Sequence, residues 1–204
     1  MPDSGPFRRL LPELLLAVAV AAAAAVATLE APQTFSLYNR GLIEAGEWWR
    51  LLTGNFAHLN LRHLLLDLAA WILIFLLGRA WLGVADWVVS LAVCCMAVSA
   101  GLYWFSPEIG VFGGLSGALH GLFALMALKQ LRAGDRLGWL LLLLVTLKLL
   151  YEWRYGGTPG TSELIGVPVA AQTHLYGALG GAALFPLLLL ADRPRKGARR
   201  APAQ

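Results

Sequence analysis

The chain has 204 residues, 58% of them hydrophobic and 14% charged, with a mean hydropathy of +0.66. A water-soluble domain carries about 25% charged residues, so lipid is the expected solvent for most of this chain. The net charge of +4 does not argue for nucleic acid, because Arg193, Arg195, Lys196, Arg199 and Arg200 crowd together beside an apolar segment, as a tail near anionic headgroups does.

A bilayer core takes about 20 apolar helical residues, and six runs of roughly that length follow one another. The first covers residues 10–29. Arg8 and Arg9 precede it in the manner of a signal peptide, but the run is long for a signal core and further spans follow, so a retained span is expected. A loop at 30–58 comes next, with aromatic residues Trp48 and Trp49 suited to an interfacial segment. The remaining spans are expected at 59–80, 87–105, 113–131, 137–153 and 167–190. Cys94 and Cys95, adjacent in the third run, have no disulfide or metal-ligand spacing.

Lys and Arg favour cytoplasmic loops. With the N-terminus inside, eleven of these residues lie on the cytoplasmic side and five outside. Both termini are then cytoplasmic, the 30–58 loop is external, and spans two, four and six all enter the membrane from the outer side.

Ionisable or nucleophilic groups within spans are costly and mark functional sites. Span two carries His63 and Asp67 one turn apart, preceded by His58; span four carries Ser116 and His120; span six carries His174. Ser116 and His174 sit a similar number of residues into helices entering from one side, so at 1.5 Å per residue both are expected roughly 10 Å below the outer interface. A serine hydroxyl needs a base to take its proton, and a neutral imidazole serves near pH 7. Close approach of the two helices requires small residues, and Gly113, Gly117 and Gly121 face Gly177 and Gly181 at four-residue spacing. Backbone N–H groups after Gly113 and Gly114, at the helix start, are candidate oxyanion donors. Taken singly, a serine or histidine in a span is most often a packing residue; it is the combination at one depth that points to catalysis. His58 is expected to have a capping or interfacial role, Arg50 to bond loop carbonyls, and Lys148 to snorkel to the outer interface.

The order Trp49-Arg50, His58, His63 with a polar residue one turn later, then Gly114-Leu115-Ser116-Gly117, then His174 with Gly177 and Gly181, resembles the rhomboid family of intramembrane serine proteases. The resemblance covers nearly the whole chain. It implies an all-α membrane protein: a six-helix bundle over residues 1–191, with a basic cytoplasmic tail at 192–204. It further implies Ser116 as nucleophile and His174 as base, with His63 and the Ser116 N–H binding the oxyanion. No metal or other cofactor is expected, since neither His-x-x-x-His nor His-Glu-x-x-His occurs.

Within the family, the segments starting at Gly46, Gly114 and His174 look like the rhombosortase subgroup. Its members reside in the bacterial inner membrane, with the active site toward the periplasm, and process exported proteins ending in a Gly-Gly motif, an apolar helix and a basic tail. Expected partners are thus membrane-anchored protein substrates and the lipid bilayer, not nucleic acid.

Two positions depart from the family pattern. Asp67 stands where many rhomboids have an oxyanion-binding Asn, and an ionised carboxylate would repel the developing charge. It can serve if protonated, or by holding and charging His63; the alternative is a structural His–Asp pair. His120 stands where many rhomboids place a Tyr against the base, and is expected to pack on and orient His174. Two rival functions follow from the same residues: a catalytically inactive client-binding relative, favoured by Asp67, and a small transporter with a proton relay.

Overall fold

The computed structural model describes residues 6–29, 35–158 and 160–191; the tail expected at 192–204 and residues 30–34 of the outer loop lie outside the described residues. Among the described residues six long helices are present, as expected: α1 (Pro6–Leu29), α4 (Leu61–Gly78), α5 (Val84–Phe105), α6 (Ser116–Arg132), α7 (Leu137–Tyr155) and α9 (Gln172–Ala191). Between them lie three one-turn helices, α2 (Arg40–Glu44), α3 (Arg50–Thr53) and α8 (Thr161–Ile165), and two short strands, β1 (Tyr38–Asn39) and β2 (Val111–Phe112).

Helices α1, α4, α5 and α9 are long and apolar enough to cross a membrane by length and composition. The other two fall short for separate reasons. At 17 residues α6 is about 26 Å long, and it runs through the middle of the bundle, where glycine and Gln130 replace lipid-facing residues. Helix α7 carries Lys148, Glu152 and Arg154 in its second half, while Trp139, Leu140, Leu143 and Leu147 on it are exposed.

The core forms around α6. Leu115, Ala118, Leu119, Leu122 and Leu125 pack with Trp71 and Phe75 of α4 and with Trp87 of α5. The rings of Trp71 and Trp87 meet edge to face, with centroids 5.5 Å apart, a geometry that suits the ring quadrupoles. In lipid the hydrophobic effect does not drive helices together, so interlocking shape and interhelical hydrogen bonds hold the bundle. One such bond runs from Trp71 Nε1–H to the Ala17 carbonyl at 3.1 Å, fastening α4 to α1.

The loop between α1 and α4 is folded onto the start of α6. Strand β1 pairs antiparallel with β2, Tyr38 opposite Phe112, and Gly114 N–H donates to Gly54 O at 3.2 Å. Arg50 is buried as expected for loop architecture: its Nη1 donates to Leu37 O at 2.8 Å and its Nε pairs with Glu47 at 2.6 Å. These ties fix the turn that delivers Ser116.

Of the six long helices only α7 starts at the expected residue, the others being shifted by two to five positions, and two of these shifts bear on the site. Helix α6 begins at Ser116 rather than 113, and α9 begins at Gln172 rather than 167. At α6 the reason is Gly114, whose φ of +146° lies outside the helical region. At α9 the run Val167-Pro168 disfavours helix at the residue before proline. Ser116 and His174 therefore both lie in the first turn of their helices.

Candidate active site

Helices α6 and α9 cross with almost no side chain between them. A Cβ at Gly177 would run into the Gly117 carbonyl, and one at Gly181 into that of Gly121; a Cβ at Gly117 would stand 2.9 Å from Thr173 O. The expected small-residue contact is thus backbone against backbone. At the N-terminal end of both helices the hydroxyl of Ser116 lies 2.9 Å from His174 Nε2.

His120, one turn along α6, lies flat on His174. The ring centroids are 4.1 Å apart and the planes 18° from parallel. Its Nδ1–H donates to the Ser116 carbonyl at 2.7 Å, which locks the ring over the histidine it was expected to orient.

Asp67 is buried, and one carboxylate oxygen accepts from both Leu115 N–H at 2.8 Å and Ser116 N–H at 3.0 Å. These are the helix-start donors that sequence offered to an oxyanion, and here a carboxylate occupies them. The same oxygen lies 3.1 Å from His58 Nε2 but 3.6 Å from His63 Nε2, beyond hydrogen-bond length. The histidine partner of Asp67 is therefore His58. His58 is fully buried rather than interfacial, and its Nδ1 contacts Thr28 of α1 at 3.1 Å. The reason is that residues 54–60 turn inward between α3 and α4, and carry His58 beneath the α6 entrance. His63 stands against the Gly114 turn, where a Cβ would meet its Nε2 at 2.9 Å. Gly113 is equally confined, by Leu37 and the Ala57 carbonyl.

One residue at the site was missed by sequence reasoning. Glu152 of α7, buried, brings Oε2 to 2.7 Å from His174 Nδ1. Its Oε1 accepts from Thr158 Oγ1–H at 2.9 Å and pairs with Lys148, so Lys148 turns to a buried partner instead of only snorkelling outward. An acidic residue within an apolar run was the available signal; its place near the end of the run made it look peripheral.

Among the described residues, His120, Glu152 and His174 come within ion-binding reach of one another. Their geometry argues against a shared ion. Stacked rings direct their in-plane lone pairs side by side, and both nitrogens of His174 already have partners. A cavity of about 420 Å³ opens beside Ser116, walled by α4 and α7 and largely apolar, with Leu66, Ile74, Phe123 and Val145 on its sides. Its shape and apolar walls suit an extended, mostly apolar ligand lying beside the Ser116 hydroxyl.

No curated protein matches the chain. The family model of the rhomboid domain matches residues 45–191, more than two thirds of the sequence, from the loop before α4 through α9. This stretch contains the tryptophan-rich loop, the Ser116 entrance and the His174 helix, and the chain belongs to the rhomboid family.

Proposed function

We propose that this protein is an intramembrane serine endopeptidase in which Ser116 is the nucleophile and His174 the base. The observation that carries the proposal is the 2.9 Å contact between Ser116 Oγ and His174 Nε2 beside an apolar cavity. As Ser116 Oγ bonds to the scissile carbonyl carbon, its proton passes to His174 Nε2; the same proton then goes to the departing amide nitrogen, leaving an acyl-enzyme that water hydrolyses. His63, at the lip of the Gly114 turn, supplies a donor toward the oxyanion. The Leu115 and Ser116 N–H groups supply two more once Asp67 gives them up.

A helix has a satisfied backbone and must unwind before cleavage. Glycine lowers that cost by about 1 kcal/mol per residue relative to alanine, which supports a rhombosortase-like role: cutting C-terminal Gly-Gly sorting signals at the outer end of a membrane anchor. Residues 1–191 form the catalytic domain in this proposal and 192–204 its cytoplasmic tail. The protein resides in the bacterial inner membrane with its active site toward the periplasm. The bilayer and membrane-anchored substrates are its partners.

The second reading is an inactive relative that binds clients. It draws on the Asp67 carboxylate standing on the Ser116 N–H. The test is cleavage of a membrane-anchored reporter bearing a Gly-Gly signal, together with fluorophosphonate labelling of the full-length protein. Labelling and cleavage are expected in the wild type, with both abolished in Ser116→Ala and cleavage lost in His174→Ala. Undiminished cleavage in both variants sinks the dyad, and client binding without labelling or cleavage favours the inactive relative.

A further inference from the structure

We infer that Glu152 is a positioning residue for His174, so that the site is a three-residue relay Ser116–His174–Glu152 built across α6, α9 and α7; this rests on the protease reading above. A carboxylate can only accept a hydrogen bond. With Glu152 Oε2 at 2.7 Å from His174 Nδ1, the proton of the neutral ring belongs on Nδ1, and Nε2 is left with the lone pair that faces the Ser116 hydroxyl at 2.9 Å. The carboxylate thus selects the one tautomer able to act as base. When the Ser116 proton reaches Nε2, the imidazolium formed has a negative partner on its far side. Glu152 takes no proton itself; the Nδ1 proton stays on nitrogen throughout.

Both carboxylate oxygens are employed, and their duties are separate. Oε1 takes Thr158 and Lys148, while Oε2 faces His174 alone. Lys148 supplies the positive charge that a buried carboxylate needs, so the resting cluster of Lys148, Glu152 and neutral His174 sums to zero. In the tetrahedral intermediate the new imidazolium and the new oxyanion appear together, and the sum is unchanged. A bare i,i+4 ion pair on α7 does not explain this arrangement. The Lys148 side chain is 39% exposed and could pair at the surface, whereas that of Glu152 is 2% exposed and turned inward to the histidine.

The experiment compares wild type, Glu152→Ala, Glu152→Gln and Lys148→Met in the full-length protein with the same reporter. It adds nuclear magnetic resonance of histidine ring ¹⁵N-labelled protein. Loss of the carboxylate in Glu152→Ala is expected to lower kcat by about 10²–10⁴ with KM within about twofold. Glutamine keeps an oxygen acceptor without the charge and recovers about tenfold of that loss. Lys148→Met leaves Thr158 on Glu152 but removes its positive partner, and is expected to lower thermal stability and kcat together. A strongly downfield Nδ1–H resonance is expected in the wild type, absent from His174→Ala and from Glu152→Ala. Should Glu152→Ala not fold, the nearly isosteric Gln variant decides: kcat within twofold of wild type overturns the relay. Wild type that neither cleaves nor labels sinks the protease reading instead, and the resonance then judges the relay alone. Its absence in wild type, its persistence in folded Glu152→Ala, or an unchanged position in Glu152→Gln overturns it.

Discussion

One oxygen of the Asp67 carboxylate accepts the N–H of Ser116 at 3.0 Å and that of Leu115 at 2.8 Å. The residue that appeared from sequence to be a flaw beside the expected oxyanion site is thereby the clasp that holds the helix start on which Ser116, the proposed nucleophile, rides. In the proposed mechanism it also stands where a developing negative charge needs those donors.

Asp67→Asn separates these two duties. The amide oxygen can still accept from both N–H groups, while the charge is gone and the NH₂ can donate. Reporter cleavage is expected to rise by roughly tenfold, since removing electrostatic opposition at an oxyanion changes rate on that scale or more. Asp67→Ala, by contrast, leaves two buried donors unpaired at about 1–3 kcal/mol each and is expected to lower the unfolding temperature and the rate together. A collapse of activity in the Asn variant with unchanged thermal stability would mean that the carboxylate's charge or proton is used in the chemistry.

Gly177→Ala tests whether the α6–α9 contact sets the reactive distance. The added Cβ collides with the Gly117 carbonyl, so the helices must part or tilt. Overpacking of this kind costs about 1–3 kcal/mol, and displacement of reacting groups by about 1 Å can cost 10²-fold in rate. Gly110→Ala is the control, because a Cβ there meets nothing within 4 Å; its stability should stay within about 0.5 kcal/mol of wild type. Thermal melts and cleavage rates of the two variants check this, and near-wild-type activity in Gly177→Ala would refute it.

His120 makes two contacts that substitution can pull apart, a stack on His174 and a hydrogen bond to Ser116 O. His120→Phe keeps a flat ring and is expected to retain activity within about threefold, because ring stacking of this type is worth about 0.5–1.5 kcal/mol. His120→Ala removes the support and should lower kcat by roughly tenfold. If Phe proves as damaging as Ala in the cleavage assay, the hydrogen bond to Ser116 O is what orients the site.

By itself the sequence determined the solvent, the six-helix organisation, the small-residue faces of α6 and α9, and the candidates Ser116, His63, His120 and His174. Those features are local: apolar run length, four-residue glycine spacing and the expense of a polar group in a span are all read along one helix. Tertiary structure decided the partners. Asp67 lies one turn from His63 along α4, yet the inward turn of residues 54–60 brings His58 closer, and Asp67 reaches across to the α6 backbone. Glu152 sits 22 residues from His174 and reads as the polar end of α7; only the packing of α7 beside α6 and α9 turns it onto the imidazole. Hydrogen bonds between helices depend on how the helices rotate and cross, and a one-dimensional pattern specifies which face is buried but not which single atom that face meets.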